Sequence, residues 1–222
     1  MSESSEPRPA EVADDRRAKL HISDLERLRL ADGMDYRPIR KALGVSGFGI
    51  NAYTAGAGEL VIERHDETGA GSGRHEELYV VVTGHAEFEL DGEAIDAPAG
   101  TLVFARPEQK RGAVARADDT TVLVIGGKPG AAGPPSPFEY WYFATPAYEA
   151  GDFARAYEIA SEALEHHPDN PSLHYNLACY AARAGERSKA MEHLEIAFAG
   201  NPQTREWARA DEDLESLFGE SA

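Results

Sequence analysis

His75, Glu77 and Tyr79 are spaced two residues apart, and in an extended chain such residues point to one face. His65 stands upstream, at the end of a preceding strand-like run, across the loop Gly69-Ala70-Gly71-Ser72-Gly73. If that loop folds back, His65, His75 and Glu77 form two imidazoles and a carboxylate, the set associated with non-haem iron. The competing reading has His75 hydrogen-bonding Glu77 or a loop carbonyl, with both at a polar rim. A carboxylate turned into an apolar interior needs a partner or a raised pKa. Arg106 and Arg111 are candidate partners, and either could instead hold an anionic small molecule. Both also suit a solvated loop after the strand that ends at Phe104.

Other reactive side chains point to structure. His85 follows a turn glycine and is expected to be exposed. His166-His167 precede Pro168 at a helix end, where a cation suits the helix dipole. Cys179, the one cysteine, reads as a buried thiol between Ala178 and Tyr180. No Gly-x-Ser-x-Gly is present, and Gly44-Val-Ser-Gly-Phe-Gly49 lacks the Gly-Lys-Ser/Thr ending of a phosphate loop.

The elements around these residues fall into two halves. Residues 1–19 are polar and without apolar period, the composition of a disordered tail. Residues 20–45 form a helical extension. Ser23 and Glu26 have capping-box spacing before Leu25, Leu28 and Leu30, and a second short helix runs from Pro38 to Leu43 with Gly44 as its stop. From Phe48 to Ile125 the rhythm is that of strands. Ala86-Phe88-Leu90 alternates with Glu87 and Glu89, and Asp91-Gly92 is a hairpin signal. Six or more short strands indicate an all-β barrel or sandwich. Residues 128–136, within GGKPGAAGPPSP, mark a linker.

Residues 137–222 are Ala/Glu/Leu-rich and repeat. A 34-residue offset pairs Gly151 with Gly185, Ala156 with Ala190, Ala163 with Ala197 and Pro168 with Pro202. Such a unit, with small residues at fixed positions and a closing proline, resembles the tetratricopeptide repeat. Two repeats, 137–170 and 171–204, are followed by a capping helix over 205–218. Pro146 should kink or restart the first helix. The resemblance implies a concave groove for a protein or peptide partner, with Tyr140, Phe143, Asn176, Tyr180 and Arg183 as candidate lining. The lysines of a carboxylate clamp are missing, since position 5 of the first repeat is Trp141. Residues 137–222 carry 16 acidic against 6 basic side chains, a net −10. That field favours basic or neutral partners. The competing role for this arm is to cover an edge of the barrel or to dimerise.

In the β half, Gly92-x5-Pro98-x-Gly100 matches the front of the second cupin motif, and Glu77 with Gly84 matches the end of the first. Residues 46–127 therefore resemble a cupin. The resemblance implies a double-stranded β-helix barrel, or jelly roll, with a pocket at its mouth and Glu77 facing inward. It also implies a metal held by three histidines and a glutamate. Here the histidine positions fall on Gly71 or Ser72, on Gly73 and on Val103, and the asparagine position on Pro107. Only Glu77 matches. Pocket candidates are then His75, Glu77, Tyr79, Val103, Arg106 and Arg111.

The chain has 222 residues, with 39 acidic and 22 basic side chains and a net charge of −17. Such a balance argues against nucleic acid and anionic membrane partners. No aliphatic run exceeds strand length, and the first ten residues lack the features of a signal peptide, so a cytoplasmic location is expected. The fold class expected is multi-domain β plus α, a cupin-like barrel joined to a helical repeat array. The leading function is a non-catalytic binding or adaptor protein. Its barrel holds a small ligand or forms a homodimer, and its arm contacts a partner; no cofactor is needed. One alternative is a metal-dependent oxygenase or isomerase carrying iron, manganese, nickel or zinc on His65, His75 and Glu77. Another is a sensor of an anionic metabolite held by Arg111.

Overall fold

The computed structural model describes residues 19–30 and 33–218. The expected tail lies outside these residues, Lys19 apart. The chain divides into two compact units, Met1–Ala131 and Ala132–Ala222.

Among the described residues, the first unit holds ten strands: β1 Leu28–Arg29, β2 Asp35–Arg37, β3 Gly49–Ala55, β4 Leu60–His65, β5 Glu76–Thr83, β6 His85–Leu90, β7 Glu93–Pro98, β8 Leu102–Ala105, β9 Arg111–Ala115 and β10 Thr120–Gly127. They form a six-stranded sheet, β1-β2-β3-β10-β5-β8, and a four-stranded sheet, β4-β9-β6-β7. Strands β3 to β10 alone, in these two orders, make a jelly roll, the double-stranded β-helix of cupins. Ala55, Val61, Tyr79, Val81, Phe88, Val103 and Val122 meet between the sheets. In β6 the alternation predicted from sequence holds: Ala86 and Phe88 point inward, while Glu87 and Glu89 point outward to ion-pair with Arg116 and Arg64. The β6–β7 turn has Asp91 at φ 52° and Gly92 at φ 89°, the double left-handed geometry of a type I′ hairpin.

At one end of the barrel Gly84 (φ 73°) abuts Thr120, so that a Cβ there would fall 2.5 Å from the threonine hydroxyl. Thr120 Oγ1 accepts from His85 N at 3.1 Å and is 2.7 Å from Ala117 O, tying the corner after β5 to the corner before β10.

Residues 20–45 differ from expectation. A 3-10 turn at Ile22–Asp24 replaces the first helix, and β1 pairs with β2, which pairs with β3. Ser23 bonds His21 and Asp24 instead of capping a helix. Asp35 gathers Arg29 at 3.2 Å and Arg27 at 3.6 Å, and the buried Arg37 donates to Ile22 O at 3.0 Å. Long-range pairing thus overrides a weak local helix signal. The second helix, α1 Ile39–Leu43, forms as predicted and stops at Gly44 in the left-handed region.

The second unit contains α2 Pro137–Glu149, α3 Phe153–Ser161, α4 Pro171–Arg183, α5 Arg187–Gly200, α6 Thr204–Ala210 and α7 Glu215–Phe218. The 34-residue period is visible at every landmark. Pro137 and Pro171 each open a first helix after a capping side chain, Ser136 and Asn170. Gly151 (φ 78°) and Gly185 (φ 80°) each follow its end. Ala156, Ala163, Ala190 and Ala197 are all fully buried, where only a methyl group lets the helices approach. Contrary to expectation, α2 runs unbroken across Pro146. The capping segment is not one helix: Asp211, with extended backbone, separates α6 from a 3-10 turn and α7.

Between the repeats lies a partly buried polar chain. His174 Nε2 lies 2.6 Å from Pro168 O, His174 Nδ1 lies 2.7 Å from His193 Nδ1, and His193 Nε2 lies 2.9 Å from the Tyr157 hydroxyl. A carbonyl only accepts, so His174 carries its proton on Nε2. Its Nδ1 then accepts from His193, whose Nε2 accepts from Tyr157. Every partner is satisfied with both rings neutral. Burial and the neighbouring His174 lower the pKa of His193 to about 4.

Candidate functional site

Glu77 sits at the start of β5, opposite Gly126 of β10 and Ala105 of β8. The next inward row is Asn51, Val124, Tyr79 and Val103, from β3, β10, β5 and β8. Because Gly126 carries no side chain, space opens above Val124 beside Glu77. This space is a cavity of about 280 Å³ lined by Met34, Tyr53, Ile62, His65, Glu67, Glu77 and Tyr79, among others.

The Glu77 carboxylate is held from several sides. Arg111 reaches Oε2 with Nη2 at 2.8 Å and Nε at 3.3 Å. The Tyr79 hydroxyl donates to the same oxygen, and His65 Nε2 lies 3.4 Å away. The Arg111 side chain is fully buried. Nε is shared with the Tyr79 hydroxyl (3.1 Å), and Nη1 donates to Gln109 O (2.9 Å) and Pro107 O (3.4 Å). Burial alone would raise the pKa of Glu77, but the hydrogen bonds from His65, Tyr79 and Arg111 outweigh it and bring it down to about 2. His65 moves the other way, raised chiefly by its bond to Glu77. Burial pushes Tyr53 up to about 12, helped by Tyr36, Glu77 and Glu63.

Of the residues singled out in the sequence, the structure joins His65, Glu77, Tyr79 and Arg111. His75 is not with them. It precedes β5, so strand alternation does not reach it, and its ring folds over Gly73 to lie 4.0 Å from Glu67. Val103 is buried in the core beside Tyr79 and does not line the cavity. Arg106 lies outside the mouth, in a shallow groove with Arg74, Glu108 and Lys128. The group that could ligate a cation is therefore His65, Glu67 and Glu77, whose ligand atoms lie within 4.8 Å of one another. Glu67 was missed, although His65-x-Glu67 repeats the two-residue spacing that drew attention to His75 and Glu77. Glu63 and Tyr53, on neighbouring strands, carried no sequence signal of their own.

These residues do not fit a resident divalent metal. Glu77 Oε2, the oxygen turned toward His65, already accepts from Arg111 and Tyr79. A metal there would face a fixed guanidinium cation. The positions where the cupin resemblance implies histidines are Gly71 or Ser72, Gly73 and Val103, and none of them is a histidine.

In the helical unit, a groove of about 360 Å³ is lined by Trp141, Thr145, Tyr148 and Glu149 of α2, by Tyr175, Asn176, Cys179 and Tyr180 of α4, and by Asp211 and Asp213. Asn176 and Tyr180 are there as expected. Tyr140 and Phe143 are not: Tyr140 packs into the core beside Ala144, and Phe143 is 58% exposed outside the groove. Trp141 and Tyr175, equivalent positions of the two repeats, take that role. Arg183 flanks the groove, bound to Asp213 at 2.7 Å and stacked over Phe153 at 4.3 Å. Cys179 is buried as expected, and burial with Asp211 and Asp213 nearby raises its pKa far above the ordinary range.

Residues 147–212 match the family model of the tetratricopeptide repeat. The helical unit is a tetratricopeptide array. The β unit has the cupin jelly roll described above. Solved structures similar to it include KdgF from a Halomonas species, 19% identical, covering 50% of this chain and 92% of that one at a TM-score of 0.40. A sugar phosphate isomerase of the cupin superfamily from Silicibacter pomeroyi is 22% identical, covering 50% and 76% at 0.42. A predicted oxalate decarboxylase from Thermotoga maritima is 13% identical, covering 49% and 97% at 0.42. No curated protein matches the chain. Among the described residues, no helix is long and apolar enough to cross a membrane.

Proposed function

We propose that this cupin–tetratricopeptide chain is a non-catalytic binding protein, whose barrel mouth takes a small uncharged or cationic ligand and whose helical arm contacts a protein partner. The observation that carries this reading is the Arg111–Glu77 pair. A buried guanidinium neutralises the one carboxylate that matches the cupin metal motif, and this supports a site that binds without a metal. The rest of the cavity supplies acceptors: Glu63, Glu67 and Tyr53 line it. Acceptors of this kind favour a ligand that brings N–H or O–H donors. Met34, Ile62 and Val124 provide an apolar wall.

The same geometry speaks against the anionic-metabolite reading. Arg111 is enclosed and committed to Glu77, Tyr79 and two carbonyls, and an incoming anion would meet Glu63 and Glu67 first. It also disfavours the metal-enzyme reading.

Thermal shift of the full chain with polyols and small amines, beside sugar phosphates and carboxylates, tests the reading. Stabilisation by members of the first group, reduced in Glu67→Gln, is expected. Stabilisation by the anions alone, or stoichiometric metal in gently purified protein that is lost in His65→Ala, would replace it.

A further inference from the structure

The tetratricopeptide groove differs from the barrel mouth in having aromatic walls around a carboxylate with no cationic partner. Asp213 is compensated by Arg183. Asp211 is not: among the described residues, no basic side chain pairs with it. Its carboxylate accepts from the Tyr175 hydroxyl at 2.7 Å and from Asp213 N at 3.1 Å. Those bonds fix its orientation without cancelling its charge. Trp141, Tyr148, Tyr175 and Tyr180 surround the same space of about 360 Å³, and Trp141 remains 38% exposed within it. Glu149 adds a second negative charge at the rim.

We propose that this groove receives a lysine or arginine side chain from a partner polypeptide, the cationic head set against Asp211 and the stem laid on Trp141 and Tyr175. Aromatic faces attract a cation through the ring quadrupole, and a carboxylate in a partly desolvated groove adds a charge-assisted hydrogen bond. Complementarity extends beyond the groove, because the helical region is acidic throughout, at a net −10 over residues 137–222. Binding of an acidic chain terminus is disfavoured for the same reason. Cys179, Asp211 and Asp213 also lie within ligand reach of one another, but Asp213 is already committed to Arg183 and the Tyr148 hydroxyl.

The inference rests on the reading that the helical arm contacts a protein partner, and the test separates the two. The full chain is titrated with N-acetyl-lysine methylamide and N-acetyl-arginine methylamide, with the glutamine and glutamate analogues as controls. The Trp141 indole N–H is followed by NMR and assigned with a Trp207→Phe variant. Saturable shifts with the two cationic probes are expected, weakened about ten-fold by Asp211→Asn and by added salt, as for a solvent-accessible charge pair. Asp211→Asn keeps the shape and one acceptor oxygen for the Asp213 amide, while its Nδ2 can donate to the Tyr175 hydroxyl oxygen in place of the bond that Asp211 accepts. An equal response to the glutamine or glutamate probe would overturn the cationic specificity while leaving the groove a peptide site. Saturation unaffected by Asp211→Asn would overturn the assignment of the head group. No saturable response to any probe would remove both the inference and the binding role of the groove.

Discussion

Glu77 and Arg111, one at the start of β5 and the other at the start of β9, share a carboxylate oxygen 2.8 Å from a guanidinium with no solvent exposure. The pair lies at the end of the barrel where the cavity beside Glu77 opens. An internal ion pair of this kind makes distinct demands on stability, because each charge is tolerated only in the presence of the other.

Breaking that pair from one side should therefore cost more than removing it. Glu77→Gln or Arg111→Met alone is expected to destabilise the β unit by about 3–5 kcal/mol. The double substitution should cost less than the sum of the two. Urea unfolding followed through amide signals of the β unit measures both, and strictly additive losses would contradict the coupling.

Acid should act on the same pair. The folded pKa of Glu77, about 2, lies below its ordinary 4.5, so the folded state binds fewer protons than the unfolded state between these values. The associated stability is present above pH 4.5 and is lost as pH falls toward 2. Glu77→Gln should flatten that stretch of the stability curve. His65, whose pKa is raised by Glu77, contributes stability below its ordinary 6.5 that fades as pH rises through its elevated value. An NMR titration should show the His65 pKa dropping in Glu77→Gln.

The helical unit has its own response to acid. His193 is held down to about 4 by burial and His174, so the unfolded chain takes up a proton that the folded chain refuses. Stability of this unit should fall as pH drops from 6.5 toward 4, then level off. Both tryptophans, Trp141 and Trp207, lie in this unit, so tryptophan fluorescence during urea unfolding follows it selectively. A His193→Gln variant should lose most of the pH dependence in that window.

The repeat packing predicts a steric penalty. Ala190 is fully buried where α4 and α5 approach, and Ala190→Leu should cost about 1–3 kcal/mol by overpacking. Exposed Glu195 on the same helix should tolerate substitution to Gln with little change. The fluorescence assay distinguishes the two.

Legibility from sequence followed the range of the interactions. The 34-residue period, the proline and glycine punctuation and the Asp91-Gly92 hairpin are local signals, and each appears in place. The segment 205–218 is interrupted at Asp211, whose carboxylate caps the following turn at the Asp213 amide and also accepts from the Tyr175 hydroxyl, and only the first of these bonds is local. His75 falls outside the site because β5 begins at Glu76, so strand alternation does not carry residue 75 to the face of Glu77. Its stand-in, Glu67, comes from a loop whose path no periodicity encodes. Arg111 could be named as a partner of Glu77, but its full burial depended on β4 and β9 lying side by side. In the groove, a helix face was read correctly to within one residue, which sufficed to exchange Tyr140 for Trp141.

Thr120 gives the barrel a sense of direction. Its hydroxyl binds backbone on both sides of the corner opposite Glu77, and Gly84 packs against it too closely to admit a side chain. The cavity beside Glu77 therefore has no through-route along the barrel at the Thr120 corner, and exchange of its contents with solvent belongs to the opposite end, where His65, Glu67 and Glu77 line it. The barrel is a cup and not a tube.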